Sequence, residues 1–504
     1  MTGRRPAPGA PLPANGLHRP SDVLLVSTYE LGHQPLLLAQ AQAALRGAGH
    51  RVRCIDLAVE EPRYLLDRAA GTDLVAVAVP MHTAARLAVS LAPRLREAAP
   101  DAHVCLFGLY ASEIGEASPA AAGAEASVPL ADSLLGGEFE PGLVALADAI
   151  ARRVPGVAPR SVEPPPGGEP AAPVPAFPRQ RFLAPDRTGL PPLDRYARCD
   201  TGEGLVLAGY VEASRGCAHR CAHCPITPVY GGRLRLVDRG VVLGDAAQQI
   251  EAGARHITFG DPDFLNAVPH ALAIVDELAT RHPGITFDAT AKVEHLLEHQ
   301  DLLPRLRDAG LLFVTSAFES TSDRVLTELE KGHAASDLDR VVETTRRHGV
   351  ALRPTWVAFT PWGGLEDYLA MLDFVERHGL QGAAPPVQYA LRLLLPPGSP
   401  LVPRLFADGV LDGFDRARLT YRWRHADARV ERLAADVGAI VAAAQASSTA
   451  CSAHAGRRAA LTSASVLGAL RDAVAAAAGE ARPAGSAGAA PAPFVPGLTE
   501  AWFC

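Results

Sequence analysis

The sequence predicts an α/β protein: a doubly wound, Rossmann-like domain, then a partial β/α barrel, then a mostly helical C-terminal tail. Three observations predict it. Short apolar runs alternate with helix-length segments from Asp22 to about residue 150. A proline- and glycine-rich stretch interrupts that alternation, and the same alternation then resumes for six further strands. At 504 residues the chain is also too long for a single core.

The first domain is expected over 20–153. Its strands are DVLLVSTY (22–29), RVRCIDL (51–57), DLVAVAVPM (73–81) and HVCLFGLY (103–110), separated by helices such as LLLAQAQAALRGAG (36–49) and AARLAVSLAPRLREA (84–98). Ligands of such sheets bind beyond the C-terminal strand ends, here the loops at 27–35, 80–84 and 108–113. A linker follows over 154–199. The barrel, over 200–430, is expected to use GYVEAS (209–214), HITFGD (256–261), ITFDATA (285–291), LFVTSAFE (312–319), LRPTWVAFT (352–360) and VQYALRLLL (387–395), with its active site at their C-terminal ends. Residues 431–504 hold an alanine-rich helical pair, the flexible spacer GEARPAGSAGAAPAP and a tail that ends FVPGLTEAWFC.

Composition narrows the function classes. Hydrophobic residues are 48% and charged residues 20%, an ordinary soluble balance. The net charge of -7, without a basic stripe, argues against a nucleic-acid partner. No apolar run reaches the roughly 18 residues needed to span a bilayer, and the N-terminus has no apolar signal region, so a cytoplasmic protein with no membrane partner is expected. In that reducing setting, eight cysteines point to metal or redox chemistry rather than disulfides. Cys54 and Cys105 lie inside strands and read as small buried hydrophobes.

SRGCAHRCAHCP (214–225) places Cys217, Cys221 and Cys224 in the loop after the first barrel strand. Three thiolates fit an iron-sulfur cluster with one iron left open; a zinc site using His219 or His223 is the competing reading. Zinc sites usually pair two short cysteine motifs, whereas the next cysteine downstream is Cys451. His219 and His223 therefore read as solvated or supporting groups.

This stretch resembles the cluster motif of radical S-adenosylmethionine (SAM) enzymes, and the resemblance covers roughly 200–400. It implies that Cys217, Cys221 and Cys224 hold a 4Fe-4S cluster, that SAM chelates the open iron, and that an electron donor such as flavodoxin or ferredoxin drives cleavage of SAM. It further implies that Gly260 and Asp261 of HITFGDPDFLN receive the SAM amino group, and that Glu319 of FES contacts the SAM ribose or methionine. Arg392 is a candidate carboxylate partner, or a structural residue. One departure is His223, which stands where the family usually has an aromatic residue near the adenine.

A doubly wound domain ahead of such a barrel resembles the cobalamin-binding radical SAM subgroup, which makes cobalamin the third cofactor; a scaffold or substrate platform is the alternative. The cobalt-ligating pattern D-x-H-x-x-G is absent, although STYELGHQP contains His33. The phrases FLAPDRTGLPPLDRYA and GYVEASRGCAHRCAHCPITPVYGGR and the ending AWFC resemble the CUAEP/CCAEP-tail radical SAM (seleno)proteins, relatives of the arsinothricin-pathway radical SAM enzyme. That resemblance implies continuation past Cys504 through selenocysteine, a catalytic thiol tail at Cys504, and transfer of the 3-amino-3-carboxypropyl group of SAM to trivalent arsenic. The expected function is thus a radical SAM transferase acting on a small molecule. The alternatives are a cobalamin-dependent methyltransferase and, in another class, a non-catalytic zinc- or arsenic-binding protein.

Overall fold

The structure is a computed structural model that describes residues 19–116, 131–153, 181–449, 455–480 and 494–500. Five parallel strands form the first sheet: β1 (Asp22–Ser27), β2 (Arg51–Asp56), β3 (Leu74–Ala78), β4 (His103–Phe107) and β5 (Ser133–Leu135), in the order β2-β1-β3-β4-β5. β3 and β4 are buried along their whole length, as strands covered on both faces must be. Helices Leu36–Gly47 and Glu140–Ala151 cover one face through Leu38, Leu45, Leu143 and Ile150. Helices Arg63–Ala69 and His82–Ala98 cover the other through Leu65, Ala88 and Leu95. β5 was not expected from the sequence, because three residues are too few to show a period.

The second sheet has seven strands. β6 (Arg198–Asp200) runs antiparallel to β7 (Leu205–Val211); β8 (Ser214–Gly216) and β9 (Leu234–Leu236) form a separate hairpin beyond it. β10 (His256–Phe259), β11 (Thr286–Thr290), β12 (Leu311–Glu319) and β13 (Ala351–Trp356) continue the parallel half-barrel from β7. β14 (Leu411–Asp415) and β15 (Thr420–Trp423) form a hairpin whose Leu419 is buried in the core of the first domain. β16 (Gly497–Leu498) pairs with β6, giving the order β13-β12-β11-β10-β7-β6-β16.

Three expectations change. VQYALRLLL is not a sixth strand: Pro386–Ala390 is a 3-10 turn, with a single bridge between Phe359 and Arg392. Two prolines, Pro385 and Pro386, set that turn and cannot donate to a ladder. The first strand ends at Val211, because the Asp261 carboxylate takes the Ala213 amide and the Ser214 hydroxyl and turns the chain into β8. The expected linker is ordered in its last part, where Leu193–Arg195 and β6 belong to the fold; residues 154–180 lie outside the described residues.

The expected helical pair is Ala428–Thr449 and Ala455–Ala478. Val430, Leu433, Val437 and Val441 of the first join Val466, Leu467, Leu470 and Val474 of the second in the barrel core. Among the described residues no helix is long and apolar enough to cross a membrane. The spacer at 481–493 and residues 501–504, Cys504 included, lie outside the described residues.

Candidate cluster site and interdomain cavity

The three cysteines leave β8 in a tight loop. Gly216, with φ at +75°, starts it; a Cβ there would sit 2.3 Å from the Arg233 carbonyl oxygen, so only glycine fits. The loop is then pinned by the Ala222 amide donating to Leu329 O (3.0 Å) and by the Thr227 hydroxyl donating to Cys221 O (3.0 Å). Cys217 and Cys221 are buried and Cys224 is half-buried. Asn266 Nδ2 approaches Cys217 Sγ at 3.4 Å, in the direction of a donor to a thiolate. Burial pushes the Cys224 thiol up to about 12, an environment in which a thiolate needs positive charge beside it.

The donor set tests the two sequence readings. The described residues that gather three donor atoms within 4.8 Å of one another are His219, Asp263 and His295, and that set contains none of the thiols. Three thiolates around one zinc would be that close; thiolates that each bind a separate iron are spread wider. The buried, single-loop arrangement fits a 4Fe-4S cluster with one iron open.

Glu319 ends β12 with φ at +63°, at a register shift against β13. Its Oε1 accepts from Lys331 Nζ at 3.1 Å and lies 3.2 Å from His223 Nε2. Burial alone would raise this carboxyl, but Lys331 and His223 outweigh it and hold the carboxyl well below the usual carboxylate range. The departure at His223 thus has a partner: the imidazole ties the cluster loop to the end of β12. Lys331 belongs to KGH (331–333), which with FES resembles the family's fourth-strand motif; its pairing with Glu319 is what the structure adds.

The remaining expected residues are placed as follows. Asp261 is buried, and both its oxygens serve the turn between β7 and β8, so it positions the cluster loop rather than presenting a free carboxylate. Burial pushes its carboxyl up to about 7. Gly260 is a close approach, since a Cβ there would meet the Tyr210 hydroxyl at 2.1 Å. Arg392 meets the chain's own Glu431, 3.0 Å away on the C-terminal helix, and stacks over Trp423 at 4.1 Å. Glu431 thus supplies a carboxylate partner from within the fold.

Facing the cluster loop is a cavity of about 190 Å³. Glu30, Pro80, Gly108 and Gly137, at the C-terminal strand ends of the first domain, form one wall; Tyr210, Gly216 and Gly260, at the barrel mouth, form the other. A second cavity of about 420 Å³ adjoins it, sharing Leu36, Gln40, Glu212 and Arg215. Arg215 is buried and donates to Glu138, Glu140 and Glu212 at 3.2, 2.6 and 2.9 Å, joining the two domains beside the cluster loop. Sequence reading missed it, although an arginine two residues before Cys217 and the acidic EFE after β5 were both visible. His33 is buried against the Tyr210 ring, 4.4 Å between centroids, and is not among the residues lining either cavity.

Comparison with known proteins agrees with this geometry. Residues 211–373 match the Radical SAM superfamily. The hopanoid C-3 methylase of Methylococcus capsulatus is 24% identical over 68% of this chain and 64% of its own length. A tRNA-2-methylthio-N(6)-dimethylallyladenosine synthase of Shewanella denitrificans is 20% identical over 37% of this chain and 41% of its own. The chain thus spans less than two thirds of the curated relatives it matches. Among solved structures, the cobalamin-dependent SAM radical enzyme OxsB, with aqua-cobalamin and SAM bound, superposes with a TM-score of 0.63 at 15% identity, covering 90% of this chain and 72% of that one. The radical SAM methyltransferase TsrM of Kitasatospora setae, with tryptophan and a SAM analogue bound, gives 0.56 at 18% identity, covering 77% and 76%. The chain carries a radical SAM domain, whose cofactors are a 4Fe-4S cluster and SAM, and shares the fold of cobalamin-dependent radical SAM enzymes.

Proposed function

We propose that this protein is a cobalamin-dependent radical SAM methyltransferase acting on a small molecule, with flavodoxin or ferredoxin as electron donor. The observation that carries this reading is the pair of adjoining cavities between the domains: one lies between the strand ends of the first domain and Tyr210, Gly216 and Gly260 beside the cluster loop, and the larger one continues from it past Glu140, Arg181 and Asp245. Gly108, Gly216 and Gly260 let the walls pack closely around the smaller one: Cβ atoms there would meet Leu37, Arg233 and Tyr210 under 3.0 Å. The wall is apolar apart from Gln40, Glu30, Glu212, Arg215 and the phenols of Tyr210 and Tyr230, a pattern that suits a ring system fringed with amides. No imidazole lines it, in keeping with the missing D-x-H-x-x-G pattern.

Cobalamin, when bound, supplies a cobalt centre able to carry a methyl group from SAM to an acceptor, and the cluster supplies reductive cleavage of SAM. The chain's own groups do the holding. Glu30, whose carboxyl burial pushes up to about 8, can present a proton to an amide carbonyl. Arg215 binds the strand-end loop of the first domain to the start of the cluster loop, so the two sites keep a constant separation. Lys331 and His223 orient Glu319 at the opposite rim, where it would meet SAM.

The methyltransferase reading takes precedence over transfer of a carbon fragment to arsenic. Of the proteins named above, the hopanoid methylase, the tRNA methylthio synthase and TsrM are described as methylating or methylthiolating, OxsB only as a cobalamin-dependent SAM radical enzyme, and none as acting on arsenic. Cys504 stays a proposed thiol of the tail. The test is anaerobic reconstitution with iron, sulfide and hydroxocobalamin, then reduction with SAM and chromatography of the nucleosides. S-adenosylhomocysteine, lost on Cys221→Ala, is expected. 5′-Deoxyadenosine alone would point to hydrogen abstraction, 5′-methylthioadenosine to carbon-fragment transfer, and intact SAM with colourless, zinc-loaded protein to a binding protein.

A further inference from the structure

We propose that His219, Asp263 and His295 form a second metal site, separate from the cluster, that takes one divalent transition ion with nitrogen and oxygen preference. This inference does not rest on the methyltransferase reading. Two strand-end loops and a short helix bring the residues together: His219 between Cys217 and Cys221, Asp263 after β10, and His295 in the helix Val293–Glu298 just beyond β11. His219 Nε2 lies 3.3 Å from His295 Nε2 and 3.8 Å from Asp263 Oδ2. Donors about 2.1 Å from one tetrahedral ion stand about 3.4 Å apart, between those two distances.

The buried atoms are under-satisfied without an ion. Asp263 is wholly buried, and its Oδ1 is already fixed by the Leu265 amide, so Oδ2 is held in place. Oδ2 lies 2.8 Å from His295 Nδ1, yet the two make no well-directed hydrogen bond, and neither atom has another partner. A buried carboxylate oxygen left with only that misdirected ion pair is costly, and an ion taking Oδ2 together with one nitrogen of each imidazole would satisfy it.

Two neighbours complete the arrangement. Lys292 Nζ lies 3.0 Å from His219 Nδ1 and also against Glu294. An ion on Nε2 requires the proton on Nδ1, so Lys292 would keep its Glu294 contact and release the imidazole. Glu294 Oε2, which carries the Lys292 ion pair, lies 4.0 Å from Nδ1, near enough to accept that proton after a small side-chain shift. Two imidazoles and one carboxylate suit Zn²⁺ or Fe²⁺. Such an ion would staple the cluster loop to the ends of β10 and β11, a hold on the cysteines that does not use them as ligands.

The test uses the full chain, reconstituted anaerobically with iron and sulfide, freed of loose iron, incubated with Zn²⁺ and gel-filtered, with both metals counted per chain. The wild type is expected to retain about one zinc with its iron unchanged. His295→Ala, and independently Asp263→Asn, should lower the zinc about tenfold or more while keeping the iron and its thiolate charge-transfer absorption. If the native ion is Fe²⁺, the wild type before zinc should hold about one iron more than His295→Ala. Equal zinc in all three proteins, a wild type with neither zinc nor the extra iron, or loss of more than about one iron together with the charge-transfer absorption as zinc enters would overturn the proposal. If no cluster assembles at all, the enzymatic reading fails instead. The site is then read in a Cys217→Ala, Cys221→Ala, Cys224→Ala variant, where one zinc lost on His295→Ala still supports it and its absence still refutes it.

Discussion

Lys331→Met isolates a buried charge. Lys331 and Glu319 are 4% and 8% exposed at the side chain, and the ammonium sits 3.1 Å from the carboxylate. Methionine fills the same volume without the charge, which strands Glu319 beside His223 alone. Removing one member of a buried pair costs about 3–5 kcal/mol. At a urea dependence of about 3 kcal/mol per molar, the midpoint should fall by roughly 1 M. Tryptophan fluorescence reads this directly, because Trp356, Trp362 and Trp423 lie in the barrel half of the chain.

Two controls make the argument specific. Adding Glu319→Gln removes the stranded charge, so the double variant should recover about half the loss. The pH dependence follows from the direction of the shift. In the wild type the Glu319 carboxyl is depressed, so its contribution is present above the unfolded value of about 4.3 and is lost as pH falls through the folded value. In Lys331→Met burial dominates and the folded value rises, so the deficit should be largest near pH 8 and narrow toward pH 5. A deficit below about 1 kcal/mol, or one equal at both pH values, would refute the charge account.

Further outcomes follow from other contacts. Gly260→Ala drives a methyl group against the Tyr210 hydroxyl, 2.1 Å away, and should weaken cobalamin uptake roughly tenfold in an absorbance titration; unchanged affinity would separate this wall from the corrin site. Arg392→Ala breaks the half-buried pair with Glu431 and should cost about 1 kcal/mol in urea while SAM cleavage stays within about twofold. Loss of SAM binding would return Arg392 to the cofactor set. Tyr29→Phe removes the donor to Glu500 Oε1 at 2.7 Å and should speed amide exchange over 494–500 about fivefold, read by mass spectrometry.

Periodicity made the strands of the first domain and the parallel strands of the half-barrel legible, and the spacing of Cys217, Cys221 and Cys224 made the cluster loop legible before any coordinates. What was hidden depends on contacts between residues far apart in sequence. Asp261 looked like a free acid because its partners, Ala213 and Ser214, lie 48 and 47 positions upstream. Arg392 looked available because Glu431 comes from a helix whose docking no local pattern announces. VQYALRLLL has the apolar content of a strand, but the prolines that lead into it set a turn, and its pairing stops at the single bridge between Phe359 and Arg392. His219, Asp263 and His295 stand after three different strands, the last in a short helix, so nothing in one window unites them.

β16 has a bearing on how the molecule comes together during synthesis. It covers β6, an edge strand made almost 300 residues earlier, while Thr499 bonds to Arg198 and Glu500 crosses to Tyr29 near the start of the first domain. Until that segment emerges from the ribosome, β6 offers an unpaired backbone edge to any neighbouring chain. Nascent polypeptides stalled before residue 494 should therefore associate with one another more than the full-length product. An affinity tag fused close behind residue 500 would burden the contact that seals this edge.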